Sequence, residues 1–415
     1  MASQFSPASL LNDIPLDTRT ISQDRLNIEG KVRSNLFPWN GQFSPQLVHA
    51  FLETYGGAGD FVLDPFMGSG TVLIEAGRLQ RRAFGAEINP AAFKMAQVYS
   101  FVNASGPSRR ESLERVDDIL HDAFGSPSLF SAKRRDDQTT GLRDRLVALW
   151  DDEDGGSPTR SLFETLIVLL DFHKPDLSPR KILATWQRLF RTVLELPFSQ
   201  QPLQISNCDA RNLPIGCGMV DLVVTSPPYI NVFNYHQQYR ASVEAMSWDL
   251  LHVARSEVGS NRKNRGNRFL TVIQYCLDIH QALEEMRRAC KASARMILVV
   301  GRESNVLKTR FYNGDIVTRI GVRCLGLIAE SRQERVFKNK FGKLIYEDIL
   351  HFRSSGADKR AGESAAQIAK EVLSEAADYC PKESSSDLQD AIHAISGIPP
   401  SPLYQPAPAG QWGKK

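Results

Sequence analysis

Asp60 to Arg82 read "DFVLDPFMGSGTVLIEAGRLQRR", and this stretch restricts the fold more than any other. Phe61 to Leu63 make a short apolar β run. Gly68 and Gly70 supply a turn in conformations that other residues avoid, and a helical pattern begins at about Thr71. A strand that turns directly into a helix is the first half of a βαβ unit, whose next strand must run parallel to the first. "RAFGAEINP" provides that strand, ending at Glu87.

The same alternation continues along the chain. "FSPQLVHAFLETYGG" has a capping Ser44, Pro45 in its first turn and an apolar stripe through Leu47, Val48, Phe51 and Leu52, so a helix precedes the first strand. Further strands are expected in "LQISNCDARNL", over Val220 to Thr225 and over Arg295 to Gly301. "LGLIAESRQERVF" with "YEDILHFR" reads as a closing hairpin. The expected fold class is α/β: a doubly wound, Rossmann-like sheet, mostly parallel, with one antiparallel strand from the C-terminal hairpin and a helical insertion.

The expected organisation is an N-terminal arm (1–32), a cofactor-binding half (33–103), a mainly helical insertion (104–201), a catalytic half with basic loops (202–353) and a partly disordered tail (354–415). Within that tail, two short helices are expected before "GIPPSPLYQPAPAGQWGKK", which reads as disordered from its Pro and Ala content.

Two glycines at a strand end let backbone approach a ligand. Glu87, about twenty residues on at the end of the second strand, stands where a ribose hydroxyl pair is gripped. Leu73 occupies the position where a third glycine would pack under a pyrophosphate, so a cofactor without one is favoured over NAD. S-adenosylmethionine fits: Asp64 for its ammonium, the amides from Gly68 through Ser69 and Gly70 to Thr71 for its carboxylate, and Asp209 for the adenine amine.

"TSPPY" ends the strand at Val220 to Thr225. Two prolines after a serine hold the backbone extended and rigid. Ser226 Oγ and the Pro227 carbonyl can accept the two hydrogens of an exocyclic amine, and Pro228 leads into Tyr229, whose ring offers a face for stacking a base.

With both elements present, the chain resembles the S-adenosylmethionine-dependent amino-methyltransferases of DNA, whose signatures are a turn like "DPFMGSGT" and Asp, Asn or Ser followed by "PPY". The resemblance covers about residues 33–103 and 203–353. It includes "FPWNGQFSPQLV", similar to the family segment that folds over the methionine end of the cofactor. It implies that Asp64, Phe66, Gly68, Gly70 and Thr71 bind cofactor, that Glu87 binds its ribose and Asp209 its adenine, and that Ser226 to Tyr229 hold the target base. Serine before "PPY" is typical of enzymes that methylate N4 of cytosine, whereas adenine-N6 enzymes more often carry aspartate. The insertion between Glu87 and Asp209 departs from the compact family pattern.

Carbon-5 methylation of cytosine needs a cysteine nucleophile, and none adjoins the platform. A duplex substrate requires the target nucleotide to be flipped out. Net charge is only +3, so a polynucleotide footprint must be local. "ARSEVGSNRKNRGNR" supplies five basic residues against one acid, with Arg262, Lys263, Asn264, Arg265 and Arg268 as candidate contacts. "RQERVFKNKFGK" is a second basic patch, with Phe337 and Phe341 interleaved.

The expected partner is double-stranded DNA, with a cognate restriction endonuclease acting on the same site without a stable complex. A monomer or weak dimer is expected, cytoplasmic and nucleoid-associated in a prokaryote. Six cysteines without C-x-x-C spacing fit a reducing compartment, and neither a signal peptide nor a membrane-spanning run is expected. The competing readings are adenine-N6 methylation of DNA, RNA guanine-N2 methylation, and a DNA-binding protein on an inactive methyltransferase fold, which would show damage at the glycine turn or the platform. Neither element is damaged.

Overall fold

The computed structural model describes residues 9–125, 135–230, 235–259, 266–339, 342–354 and 362–406, with side chains described from 141 onward in the second segment. Seven strands form the main sheet: β1 (Phe61–Asp64), β2 (Arg82–Ala86), β3 (Leu203–Ser206), β4 (Val220–Thr225), β5 (Cys290–Gly301), β8 (Ile328–Lys338) and β9 (Leu344–Arg353). A short ribbon, β6 (Glu303–Val306) with β7 (Thr309–Tyr312), stands apart. The spatial order is β3-β2-β1-β4-β5-β9-β8. β1 to β5 pair in parallel, and β9 runs antiparallel to both β5 and β8, so the sheet is mostly parallel with one reversed strand, as expected from the late hairpin.

The central strands are buried on both faces, which their run of Val and Leu permits. Alternate residues serve two cores. Val62, Leu222, Val224, Ile297 and Val299 pack to one side with the helix Pro45–Tyr55, while Leu63, Val223, Met296, Leu298 and Val300 pack to the other with the helix Leu270–Ala289.

Among the described residues of 104–201 there are four helices: Gly106–Phe124, Arg135–Asp151, Pro158–Leu170 and Pro179–Leu194. Their apolar residues, including Leu113, Phe163, Leu166 and Trp186, belong to the same continuous core as Val62 and Val224. Lys94 and Glu164, both almost buried, form an ion pair at 2.7 Å that ties this bundle to the helix Pro90–Gln97. The inserted helices are therefore packed into the sheet's flank.

The N-terminal arm crosses the outer strand. Arg332 N–H donates to the Pro15 carbonyl and Asp17 N–H to the Arg332 carbonyl, Gln23 donates to the Glu334 carbonyl, and Val336 N–H donates to Asn27 Oδ1. Leu11, Ile21 and Leu26 are the buried anchors.

Two expectations require correction. The tail does contain two helices, Ala365–Ala376 and Ser385–Ala394, but residues 398–406 do not read as disordered: Ser401 and Tyr404 are each 3% exposed, held by hydrogen bonds to buried acids. The second basic patch lies on β8, where Arg332 and Arg335 pair with Glu334 and Glu347 and Arg335 stacks over Phe337. The two arginines are spent within the protein, whereas Lys338 and Lys343 remain exposed. Phe341 lies outside the described residues.

Candidate active site

Strand order reverses between β1 and β4, so the turns leaving these strands open side by side at the carboxyl end of the sheet, where a doubly wound fold binds its ligand. Thr225 Oγ1 donates to Asp64 Oδ1 at 2.7 Å and fixes the two strand ends together. A partly enclosed cavity opens there. Its walls come from Trp39 and Gln42 to Phe43, from Phe66 to Gly68 and Thr71, from Glu87 to Asn89, from Cys208 to Ala210, and from Ser226, Pro228, Tyr235 and Glu257.

The glycine turn is built for close approach. Gly68 and Gly70 have φ of +52° and +84°. A Cβ at Gly70 would stand 2.8 Å from the Tyr99 ring, and one at Gly68 would be 3.3 Å from Trp39. Ser69 Oγ donates to Gln42 Oε1 at 2.7 Å, which ties the turn to the Trp39–Phe43 segment. That segment lines the cavity, and Trp39 stacks on Tyr235 and Tyr239 at 6.1 and 6.4 Å between ring centroids.

Glu87 closes the floor. Its Oε2 accepts from Gly68 N–H at 2.9 Å and its Oε1 from Asn89 N–H at 2.7 Å, which leaves one acceptor direction on each oxygen. Burial pushes its carboxyl up to about 7 in spite of these donors. Two free acceptor directions on one carboxylate match a pair of vicinal hydroxyls, and apolar Phe66 and Ile88 beside it suit a nucleoside.

Four of the expected cofactor residues are used differently: Ser69 and Gly70 lie outside the cavity lining, holding Gln42 and packing on Tyr99, and Asp64 and Asp209 are committed within the protein. Asp64 lies behind Pro65, outside the cavity lining. It accepts from Thr225 and from Phe66 N–H, and burial pushes it up to about 7. Asp209 does wall the cavity, yet both its oxygens are committed: Oδ1 accepts from the Arg211 amide and Nε, Oδ2 from Arg211 Nη2 and the Tyr404 amide. With four donors on its four lone-pair directions, it is an anchor for the wall rather than an open acceptor for an adenine amine.

At the platform, Ser226 Oγ donates to the Val299 carbonyl at 2.8 Å and lies 3.2 Å from the Tyr229 hydroxyl. Ser226 and Pro228 line the cavity; Pro227 is buried beneath them. Tyr229 is half-buried rather than open to the cavity. Its ring lies against Gly301, where an added Cβ would come within 2.9 Å, and its carbonyl lies against Gly259, where a Cβ would come within 3.0 Å. The expected stacking face is thus packed on β5.

Gly259 is also the residue from which the basic loop departs, so that loop is rooted beside the platform. Arg262, Lys263, Asn264 and Arg265 lie outside the described residues; Arg268 is exposed just ahead of the helix Leu270–Ala289. The single acid of that patch, Glu257, turns inward to the cavity wall and accepts from the His236 amide, with its other oxygen 2.8 Å from His236 Nδ1. Sequence reasoning counted Glu257 only as an exception in a basic run. Its sole signal was that exception.

Of the six cysteines, only Cys208 lines the cavity, and burial pushes its thiol up to about 11. No helix among the described residues is long and apolar enough to cross a membrane.

Comparison with known proteins places these residues in context. Residues 18–98, which contain the Trp39 segment, the glycine turn and Glu87, match the model of a DNA methylase family. A type II methyltransferase, M.MjaII, of Methanocaldococcus jannaschii is 30% identical over 112 residues, 27% of this chain and 20% of its own length. The tRNA (guanine(10)-N2)-dimethyltransferase of Methanothermobacter thermautotrophicus is 38% identical over 84 residues, 19% of this chain and 25% of its own. The chain thus spans about a fifth to a quarter of the length of these relatives. Among solved structures, a SAM-dependent methyltransferase from Methanosarcina mazei superposes with a TM-score of 0.34 at 10% identity, covering 76% of this chain and 99% of that one. S-adenosylmethionine is the cofactor that these matches support.

Proposed function

We propose that this chain transfers a methyl group from S-adenosylmethionine to N4 of cytosine in double-stranded DNA, as the modification enzyme of a restriction-modification system. The observation that carries the reading is the Ser226 hydroxyl at the cavity mouth. Its only proton goes to the Val299 carbonyl, so the Tyr229 hydroxyl donates to Ser226 Oγ and one lone pair remains for an incoming amine.

In this reading Glu87 holds the ribose hydroxyls, Phe66 and Ile88 sandwich the nucleoside, the turn from Gly68 to Thr71 receives the amino-acid end, and Trp39 covers it. When bound, S-adenosylmethionine supplies an electrophilic sulfonium methyl. Ser226 Oγ orients the exocyclic amine so that its lone pair points into the cavity; the Pro227 carbonyl, the second expected acceptor, is buried beneath the lining and serves only if the platform shifts on base entry. Serine is too weak a base to take the proton fully at neutral pH, so its part is orientation and acceptance. Cys208, protonated and on the adenine-side wall, is unsuited to the covalent attack that carbon methylation demands. The basic loop rooted at Gly259 holds the backbone beside the flipped nucleotide, with Arg262, Lys263, Asn264, Arg265 and Arg268 as its contacts.

The test is mass spectrometry of nucleosides from DNA and RNA incubated with the protein and methyl-labelled cofactor. N4-methylcytosine in DNA is expected. N6-methyladenine would keep the site and overturn the serine assignment; label confined to RNA would overturn the substrate class, in the direction of the tRNA-modifying relative.

A further inference from the structure

The segment Ile398–Pro406 follows the last described helical turn and has no secondary structure of its own, yet it is fastened along its length by hydrogen bonds. Arg211, whose side chain is fully buried, donates to the Ser401 and Pro402 carbonyls at 2.8 and 2.9 Å. Ser401 N–H donates to Asp278 Oδ1 at 2.7 Å, and Asp278 is itself paired with Arg211 at 2.9 Å. Tyr404 N–H donates to Asp209 Oδ2 at 2.8 Å, and the Tyr404 hydroxyl donates to Asn207 Oδ1 at 2.7 Å. His252 closes the far side, its ring 5.5 Å from that of Tyr404 and its Nε2 3.2 Å from the Gln405 carbonyl.

These contacts lead directly into the cavity wall. Asn207, oriented by Tyr404, uses its Nδ2 to donate to the Glu87 carbonyl at 2.7 Å, and Glu87 in turn holds Gly68 through its carboxylate. Asp209, oriented by Arg211 and Tyr404, fixes the Cys208–Ala210 wall. A disordered tail would leave Asp209 and Asp278 each short of a backbone donor in a buried setting, a situation that folded proteins avoid.

We propose that Tyr404 is a positioning residue of the cofactor site, and that Ile398–Pro406 acts as a strap that sets the Asn207–Glu87 and Asp209 walls. This rests on the cofactor reading above. Tyr404 does not touch the reacting atoms. Its effect belongs on cofactor affinity, since Glu87 and Cys208–Ala210 grip the nucleoside, whereas the platform at Ser226 is fixed separately by Val299 and Tyr229.

The experiment compares the full chain with Tyr404→Phe, which removes only the hydroxyl, with Tyr404→Ala, and with a chain stopped after Gly397. Binding of S-adenosylhomocysteine is measured by calorimetry, and KM for S-adenosylmethionine and kcat are measured on DNA. Tyr404→Phe is expected to weaken binding about 5-fold and to raise KM with kcat within about twofold, as loss of one buried hydrogen bond implies. Tyr404→Ala and the shortened chain are expected to weaken binding by a further factor of about 10. Unchanged affinity in Tyr404→Phe and in either larger change overturns the proposal, as does a loss in kcat without a change in KM. If the full chain itself fails to bind S-adenosylhomocysteine, the cofactor reading falls and takes this proposal with it; that outcome is distinct from binding that the variants leave untouched.

Discussion

Ser226 Oγ lies 2.8 Å from the carbonyl oxygen of Val299, on the neighbouring strand β5. That bond turns a hydroxyl into an acceptor aimed at the cavity. Ser226→Ala removes the acceptor and leaves the cofactor walls in place. Turnover is expected to fall by roughly 10² while the Kd for S-adenosylhomocysteine stays within about twofold, the order seen when one aligned active-site hydrogen bond is lost. Paired kinetics and calorimetry check this, and an equal loss of both would remove the role assigned to Ser226.

Gly301 and Gly70 make contrasting demands. In Gly301→Ala, the new methyl meets the Tyr229 ring at 2.9 Å, so the ring must shift while the sheet persists; turnover should drop with little change in Tm. Gly70→Ala combines a positive φ of +84° with a contact of 2.8 Å to Tyr99, and a loss of about 2–4 kcal/mol is expected from left-handed strain plus overpacking. Thermal and urea unfolding distinguish the two.

Burial lifts Glu87 from 4.5 and Asp64 from 3.8, each to about 7. The folded protein therefore keeps two protons that the unfolded chain has already released. Their contribution to stability is greatest below about pH 4 and declines as the pH rises through about 7. Glu87→Gln, which cannot ionise, should flatten part of that decline in melts taken across the window. Hydroxyl donors from a bound ribose favour the ionised Glu87, so cofactor binding at about pH 6.5 should release protons, detectable as a buffer-dependent binding enthalpy.

Trp186 is fully buried, and its Nε1 donates to Asp117 at 2.8 Å. Because the inserted helices share one core with the sheet, Trp186→Ala should cost about 3–5 kcal/mol and lower a single unfolding transition. A separate early transition, with the cofactor site still intact by binding, would show that the bundle folds independently.

Arg268 is exposed at the end of the basic loop. If it contacts a phosphate, Arg268→Ala should weaken DNA binding uniformly across sequences and reduce the slope of log K against log salt by about 1. An unchanged slope would place the loop's contacts elsewhere.

The parts of the site legible in the sequence were those written in local backbone chemistry. Gly68 and Gly70 mark their turn because few residues tolerate it, Ser226 to Pro228 mark a rigid strand end, and Glu87 follows from its place after β2. What stayed hidden depends on partners distant in the chain. Asp209 read as an open acceptor because its commitment to Arg211 and to the amide of Tyr404, 195 positions away, has no local signature. Residues 398–406 read as disordered because proline-rich composition reports low helix and strand propensity, whereas backbone groups of that segment bind buried charges that composition does not reveal. Tyr229 read as an open stacking face because nothing near it in sequence announces Gly301.

The arm laid across β8 has a consequence for how the molecule behaves in a crowded solution. An outer strand normally offers a ladder of bare amides and carbonyls to any other extended chain. Here the amides of Arg332 and Val336 and the carbonyls of Arg332 and Glu334 are already answered by Pro15, Asp17, Gln23 and Asn27. The arm acts as a built-in stopper against strand addition, and cutting it away at Asn27 would turn a covered strand edge into a template for aggregation.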